Sequence, residues 1–149
     1  LGFVSWPGEP RLSVRDVPYN VLRRDDFDGD LRLVASAQQL AVTASHALEH
    51  GFLAGRHRER TRVGFSVRAT QIAASMNRRG TRTLRALDSV AAELSIPVAA
   101  VAVAWLLSQR AIAAPIVNVF APEHVVEISQ GVGARLSRGH LAEIARASQ

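Results

Sequence analysis

Three histidines, a cluster of acids, a run of arginines and one loop tryptophan are the residues of this chain whose types and spacing could do chemistry. His46 and His50 lie four residues apart, which on a helix would put two imidazoles on one face as a zinc pair needs, with His57 close behind. Gly51 and Gly55 argue against such a helix, and Glu49 is the one carboxylate near enough to be considered as a third ligand. We therefore expect no metal. Asp25, Asp26, Asp28 and Asp30 lack the register of a calcium loop and no glutamate closes them. Carboxylates at the start of a helix, where the dipole favours them, are the simpler reading. The stretch Arg56 to Arg62 carries four arginines and one glutamate and reads as a solvated face. Trp6, in a loop with Pro7, Gly8 and Pro10, is expected to plug the edge of a core rather than to stack on a ligand.

Composition narrows the classes further. There is no cysteine, hence no disulfide and no thiolate metal site. All 18 basic residues are arginine, so the pI near 11.3 reflects guanidinium basicity more than the modest net charge of +5. No apolar run is long enough for a membrane span and no signal peptide is evident, so a soluble, cytoplasmic protein is expected. With 48% hydrophobic residues, the 149 positions suffice for one domain, preceded by an irregular lead-in over 1–13. A chain that starts at Leu1 is expected to be a processed form or a fragment.

The elements that must position these residues alternate strand and helix. Ser13 to Leu22 alternates and is rich in valine, a strand by pattern. A helix is expected from about Asp30 to Leu40, a short strand at Ala41 to Ser45, and a long helical stretch from Ser66 to Leu94 broken at Gly80. Leu84, Leu87, Val90, Ala91 and Leu94 form its buried stripe, with Arg78, Arg79, Arg82 and Arg85 on the other side. Ser95 is expected to cap the next helix, with Pro97 in its first turn; Val98 to Gln109 is too apolar for a surface helix. Ala113 to Val119 reads as a strand covered on both faces. Pro122 opens a helix to about Gly131, and Ser137 caps a last one with Leu141, Ile144 and Ala145 inward. The fold class is α/β, built of parallel β/α units.

Five segments in order resemble the C-terminal half of an aldo-keto reductase. VPYNVLRR resembles the sixth barrel strand of that family, and HALEHGFLAGR the Ser-Pro-Leu-x-x-Gly-x-Leu-x-Gly-Lys loop after the seventh. LDSVAAELSIPVAAVAVAWLLSQ resembles the helix pair carrying Ala-x-x-Trp-Leu-Leu, and APIVNVFAPEHVVEI the eighth strand with the loop that holds the adenosine phosphate. LSRGHLAEI resembles the closing helix. The resemblance implies half of a TIM (β/α)8 barrel, a fold that in full takes about 250 residues. It implies carbonyl reduction by NADPH, through a tyrosine acid with lysine, aspartate and histidine. Those four lie in the family's other half, and the only tyrosine here, Tyr19, matches a position that is not the acid. Without lysine, no ammonium exists to lower a tyrosine pKa. The chain alone is thus expected to be inactive.

Cofactor positions carry over one at a time. Asp16 stands where the family has the glutamine that bonds the carboxamide, and Ser45 where many members place a ring against the nicotinamide. His46 replaces a serine, while Leu48 matches the leucine of the same loop. In the phosphate loop Asn118 takes the lysine position, Val119 the serine position and His124 the arginine position; Glu127 is kept, and Ile128 replaces an asparagine. Charge-assisted contacts to a 2′-phosphate are expected to be mostly lost through these changes, as in a site released from use. NADP thus remains possible only through the resemblance. An open half-sheet would expose strand edges and an apolar face, so a homo-oligomer or a complementary half-barrel polypeptide is the expected partner. A second reading is a scaffold or regulatory subunit of another enzyme. A third takes ELSIPVAAVAVAWLLSQR as a helix-turn-helix for nucleic acid, against which stands its almost wholly apolar second helix.

Overall fold

A computed structural model describes residues 14–58 and 67–149; the lead-in with Trp6, and the arginine run beyond Arg58, lie outside the described residues. Three parallel strands, β1 (Val14–Pro18), β2 (Ala41–Ser45) and β3 (Ile112–Pro115), form a sheet in the order β1-β2-β3. Parallel neighbours need crossovers, and helices supply them. Helix α1 (Asp30–Ala37) joins β1 to β2. A tight turn segment (Glu49–Ala54) and helices α2 (Val67–Ser75), α3 (Arg78–Leu94) and α4 (Val98–Leu107) lie between β2 and β3; α5 (Pro122–Gly133) and α6 (Arg138–Ala147) follow.

Helix α4 is the centre of the packing, with every residue from Ala99 to Leu106 buried. It lies against β3, α3 and α5, which is why its sequence shows no polar face. The approach to α5 is close: a Cβ on Gly131 would sit 2.5 Å from the Ala100 carbonyl oxygen. A helix-turn-helix reading loses its second element here, because a buried α4 has no surface to offer a DNA groove.

Four local expectations need correction. Ser95 does not start α4; it ends α3 in the left-handed region (φ 55°), and Pro97 occupies the N-cap. Only Ser95, Ile96 and Pro97 separate the two helices, which meet at 98°, so the chain must reverse its backbone sense there. Nor does Gly80 break a helix. The break is at Met76 and Asn77, whose side chain accepts from the Gly80 N–H at 2.9 Å. Gly80 is needed because a Cβ would fall 1.8 Å from the Ser75 carbonyl oxygen. The first strand stops at Pro18, since the Asn20 side chain accepts from the N–H groups of Leu22 (2.8 Å) and Arg23 (2.9 Å) and builds a turn instead. β3 is short and half open: Ile112 is buried while Ala113 and Ala114 are exposed, no described strand covering its outer edge.

Buried Val17, Val42, Ala44 and Ile112 mark the face of the sheet that meets the helices. On the other face the Thr43 hydroxyl donates to Asp16 across the β1–β2 pair at 3.0 Å. Among the described residues that face is therefore small and polar at its centre, rather than apolar. The Ser137 cap is as expected: its hydroxyl accepts from His140 N–H at 3.1 Å, and the imidazole Nδ1 accepts in return from Ser137 N–H at 3.3 Å.

Candidate functional site

Strands of a parallel sheet end on one side, and the segments leaving β2 and β3 there face each other. The segment after β2 is wound tightly. His46 (φ 54°), Glu49 (43°), His50 (58°) and Gly51 (94°) all occupy the left-handed region, which costs a residue with a Cβ on the order of 1 kcal/mol.

Glu49 holds that winding in place. Its carboxylate is 4% exposed and accepts from Asn20 Nδ2 at 2.6 Å and from Arg23 at 3.1 Å, with Ser75 Oγ at 3.4 Å. Burial alone would raise the Glu49 pKa, but the hydrogen bonds from Arg23 and Asn20 outweigh it and bring the carboxyl below its usual value. Asn20 Nδ2 also reaches the His46 carbonyl at 2.8 Å, tying the end of β1 to the end of β2. The result is a paired set of imidazoles: His46 Nδ1 and His50 Nε2 are 3.3 Å apart with rings edge to face. Burial and the neighbouring His46 lower the His50 pKa, and burial with Arg68 and Arg56 nearby lowers that of His57.

Opposite them runs the chain after β3. Ile116 continues the strand by one bond, its N–H donating to the Ala44 carbonyl at 2.8 Å, before Val117 to Phe120 turn towards α5. Helix α5 starts at Pro122 with no side-chain cap, and the Phe120 N–H points at His124 Nδ1, 3.4 Å away. Helix α2 supplies the remaining wall. Arg68 at its start lies with Cζ 4.5 Å from the centre of the Phe120 ring and donates to the His50 carbonyl at 3.4 Å. Arg56 spans to Glu127 of α5 at 2.6 Å.

Between these walls is a cleft of about 500 Å³. Ser45, His46, Leu48, Asn118 and His124 line it, as does Ile128. Glu127 sits at its rim through the Arg56 pair; Asp16 lies outside it, engaged with Thr43 mid-strand. Arg68, Arg56, His57 and Phe120 belong to the cleft; in the sequence His57 reads only as a candidate metal ligand and Arg56 only as part of a solvated face, and Arg68 and Phe120 are not legible as site residues. Nothing in the local pattern of α2 marks Arg68, because its role depends on which loop α2 is packed beside. No group of three or more His, Cys, Asp or Glu among the described residues is placed to hold a metal ion.

Tyr19 is far from any such role. Its side chain is 1% exposed, stacks on Trp105, meets Phe27 edge-on, and donates to Asp28 at 2.9 Å. Burial, and then the Asp28 contact, push its pKa well above the ordinary tyrosine value.

The family model described as the aldo/keto reductase family matches residues 7–149. This chain belongs to the aldo-keto reductase family. Among curated proteins none matches. Among solved structures it is similar to a thermostable aldo-keto reductase, Tm1743, solved with the inhibitor epalrestat, at 19% identity and a TM-score of 0.63. The match covers 94% of this chain and 41% of that one, so three βα units here correspond to part of an aldo-keto reductase barrel. In such barrels the strand ends that carry the reaction are the C-terminal ones, the end at which this cleft lies.

Proposed function

We propose that this chain forms the cofactor side of an NADPH-linked carbonyl reductase. The observation that carries the reading is the cleft itself, at the C-terminal strand ends, with arginine and histidine on three walls and its one rim carboxylate, Glu127, already paired. A polyanionic dinucleotide fits that set of donors. His124 and Asn118 would face its pyrophosphate; Ser45 and Leu48 would lie along its length, with His46 beside them. When bound, the nicotinamide supplies the hydride. This chain's own part is to bind and orient it, since Tyr19 is buried away from the cleft and no lysine exists to activate a tyrosine.

The proton donor is then supplied by other βα units. With three strands here and a fold that closes with eight, roughly five further units would complete the barrel. They would meet the open edge of β3; on α5, Val125, Val126 and Val132 are exposed at 48%, 62% and 73% and offer further apolar surface. A complementary polypeptide or additional chain fits this edge better than a second copy, because two such sheets would give only six strands. The expected setting is the cytoplasm, where NADPH is made and used; no single helix among the described residues is long and apolar enough to cross a membrane.

Calorimetry with NADPH tests the reading. Binding below about 10 μM is expected, with no carbonyl reduction by the chain alone. Absence of binding at millimolar NADPH would instead favour a scaffold or regulatory subunit, a reading supported by uncharged Asn118 and Val119 in the phosphate loop. Light scattering after gel filtration tests the partner: a stable, well-folded monomer at low concentration would count against it.

A further inference from the structure

Six cationic or titratable side chains surround the cleft, and they are not equivalent. Arg56 is compensated by Glu127 at 2.6 Å. His50 and His57 have lowered pKa values and are mainly neutral near pH 7, and His46 shares a hydrogen bond with His50. Arg68 has no carboxylate partner among the described residues. Among the described residues it contacts the face of Phe120 and the His50 carbonyl, which engage one of the five N–H donors a guanidinium carries. Phe120 is 66% exposed, a large aromatic ring left outside the core.

A planar cation laid on an exposed ring beside a cleft is complementary to a planar base that carries a phosphate. The base stacks on the guanidinium or ring, and the phosphate takes parallel N–H donors. The loop after β3 offers no such charge, since Asn118 and Val119 are neutral. We infer that Arg68, held against Phe120, is the residue that recognises the 2′-phosphate of the adenosine, so that phosphate selection comes from α2 instead of the β3–α5 loop. This rests on the dinucleotide reading of the cleft.

The test is calorimetry of the full chain with NADP, NAD, 2′,5′-ADP and 5′-AMP, for the natural protein, Arg68→Met and Arg68→Lys. Arg68 is exposed, so thermal melts should show both variants folded. The natural protein should prefer NADP over NAD, and 2′,5′-ADP over 5′-AMP, by about tenfold or more. Arg68→Met should remove both preferences while changing NAD affinity by less than about threefold, and Arg68→Lys should restore part of them, as a point charge without the fork. If the natural protein binds NADP and NAD equally, the inference fails while the dinucleotide reading survives. A preference retained in Arg68→Met, or equal loss of both dinucleotides, also overturns it. Failure to bind any of the four overturns both.

Discussion

The α3–α4–α6 side of the molecule and the cleft rim are built on opposite principles. On the first, Leu87, Val90, Val101, Leu106 and Ile144 are fully buried, and α5 approaches α4 beside them closely enough to require glycine at Gly131. On the second, Ile116, Val119 and Phe120 are exposed and five residues after β2 hold left-handed backbone. Stability comes from the packed side. The rim is specified by a few polar contacts centred on Glu49, and it is the proposed cofactor side. Rigid elements carrying irregular, strained loops are the usual division of labour in barrel proteins.

The sharpest way to break this contrast is to truncate one side chain on each side. Leu106→Ala, at a position 0% exposed, should lower the unfolding free energy by about 3 kcal/mol in urea titrations. Phe120→Ala, at a position 66% exposed, should change it by less than about 0.5 kcal/mol and weaken NADP binding instead. Equal losses would mean that the rim is part of the core.

Glu49→Gln probes the one buried charge that links rim to scaffold. It should cost about 1 to 2 kcal/mol at pH 7, less than a fully buried pair because Arg23 is 41% exposed. The Glu49 pKa is lowered in the fold, so its contribution is complete above the usual carboxylate value and disappears as the pH falls through the lowered one. The difference between natural protein and variant should therefore shrink in acid. A gap that stays constant from pH 7 to pH 3 would remove the ionised carboxylate from its place.

The smallest effect concerns His50. Its pKa is lowered, so the folded state takes up its proton less readily than the unfolded one. Stability should decline as pH falls from about 6.5 through the lowered value, and His50→Gln should flatten that part of the profile. Identical urea midpoints for the two proteins between pH 7 and 5 would show that the imidazole pair is not coupled to folding.

Fold class and the main helices could be read from the sequence, because the α3 stripe and the continuous apolar run of α4 follow from burial on one side or on all sides. The misread positions were local. Ser95 has the chemistry of an N-cap, yet the 98° turn between α3 and α4 makes it a terminator of the helix before. Gly80 has the look of a breaker, and it is required by the proximity of the Ser75 carbonyl. Of the candidate site, Ser45, His46, Leu48, Asn118 and His124 are together in the cleft, whereas Asp16 is engaged with Thr43 outside it. Arg68 and Phe120 could not be paired in advance, being 52 positions apart on elements with no shared pattern.

The sequence by itself determined that β/α units alternate, that α4 is central, and that neither thiolate nor amine chemistry is available, since these depend on residue type and period alone. Tertiary structure decided which charges are paired among the described residues. Arg56 reaches Glu127 and Arg68 lies over the Phe120 ring because the chain after β2 and the start of α2 face the β3–α5 loop and α5, and distance in space, which residue order does not encode, sets which cation finds a carboxylate.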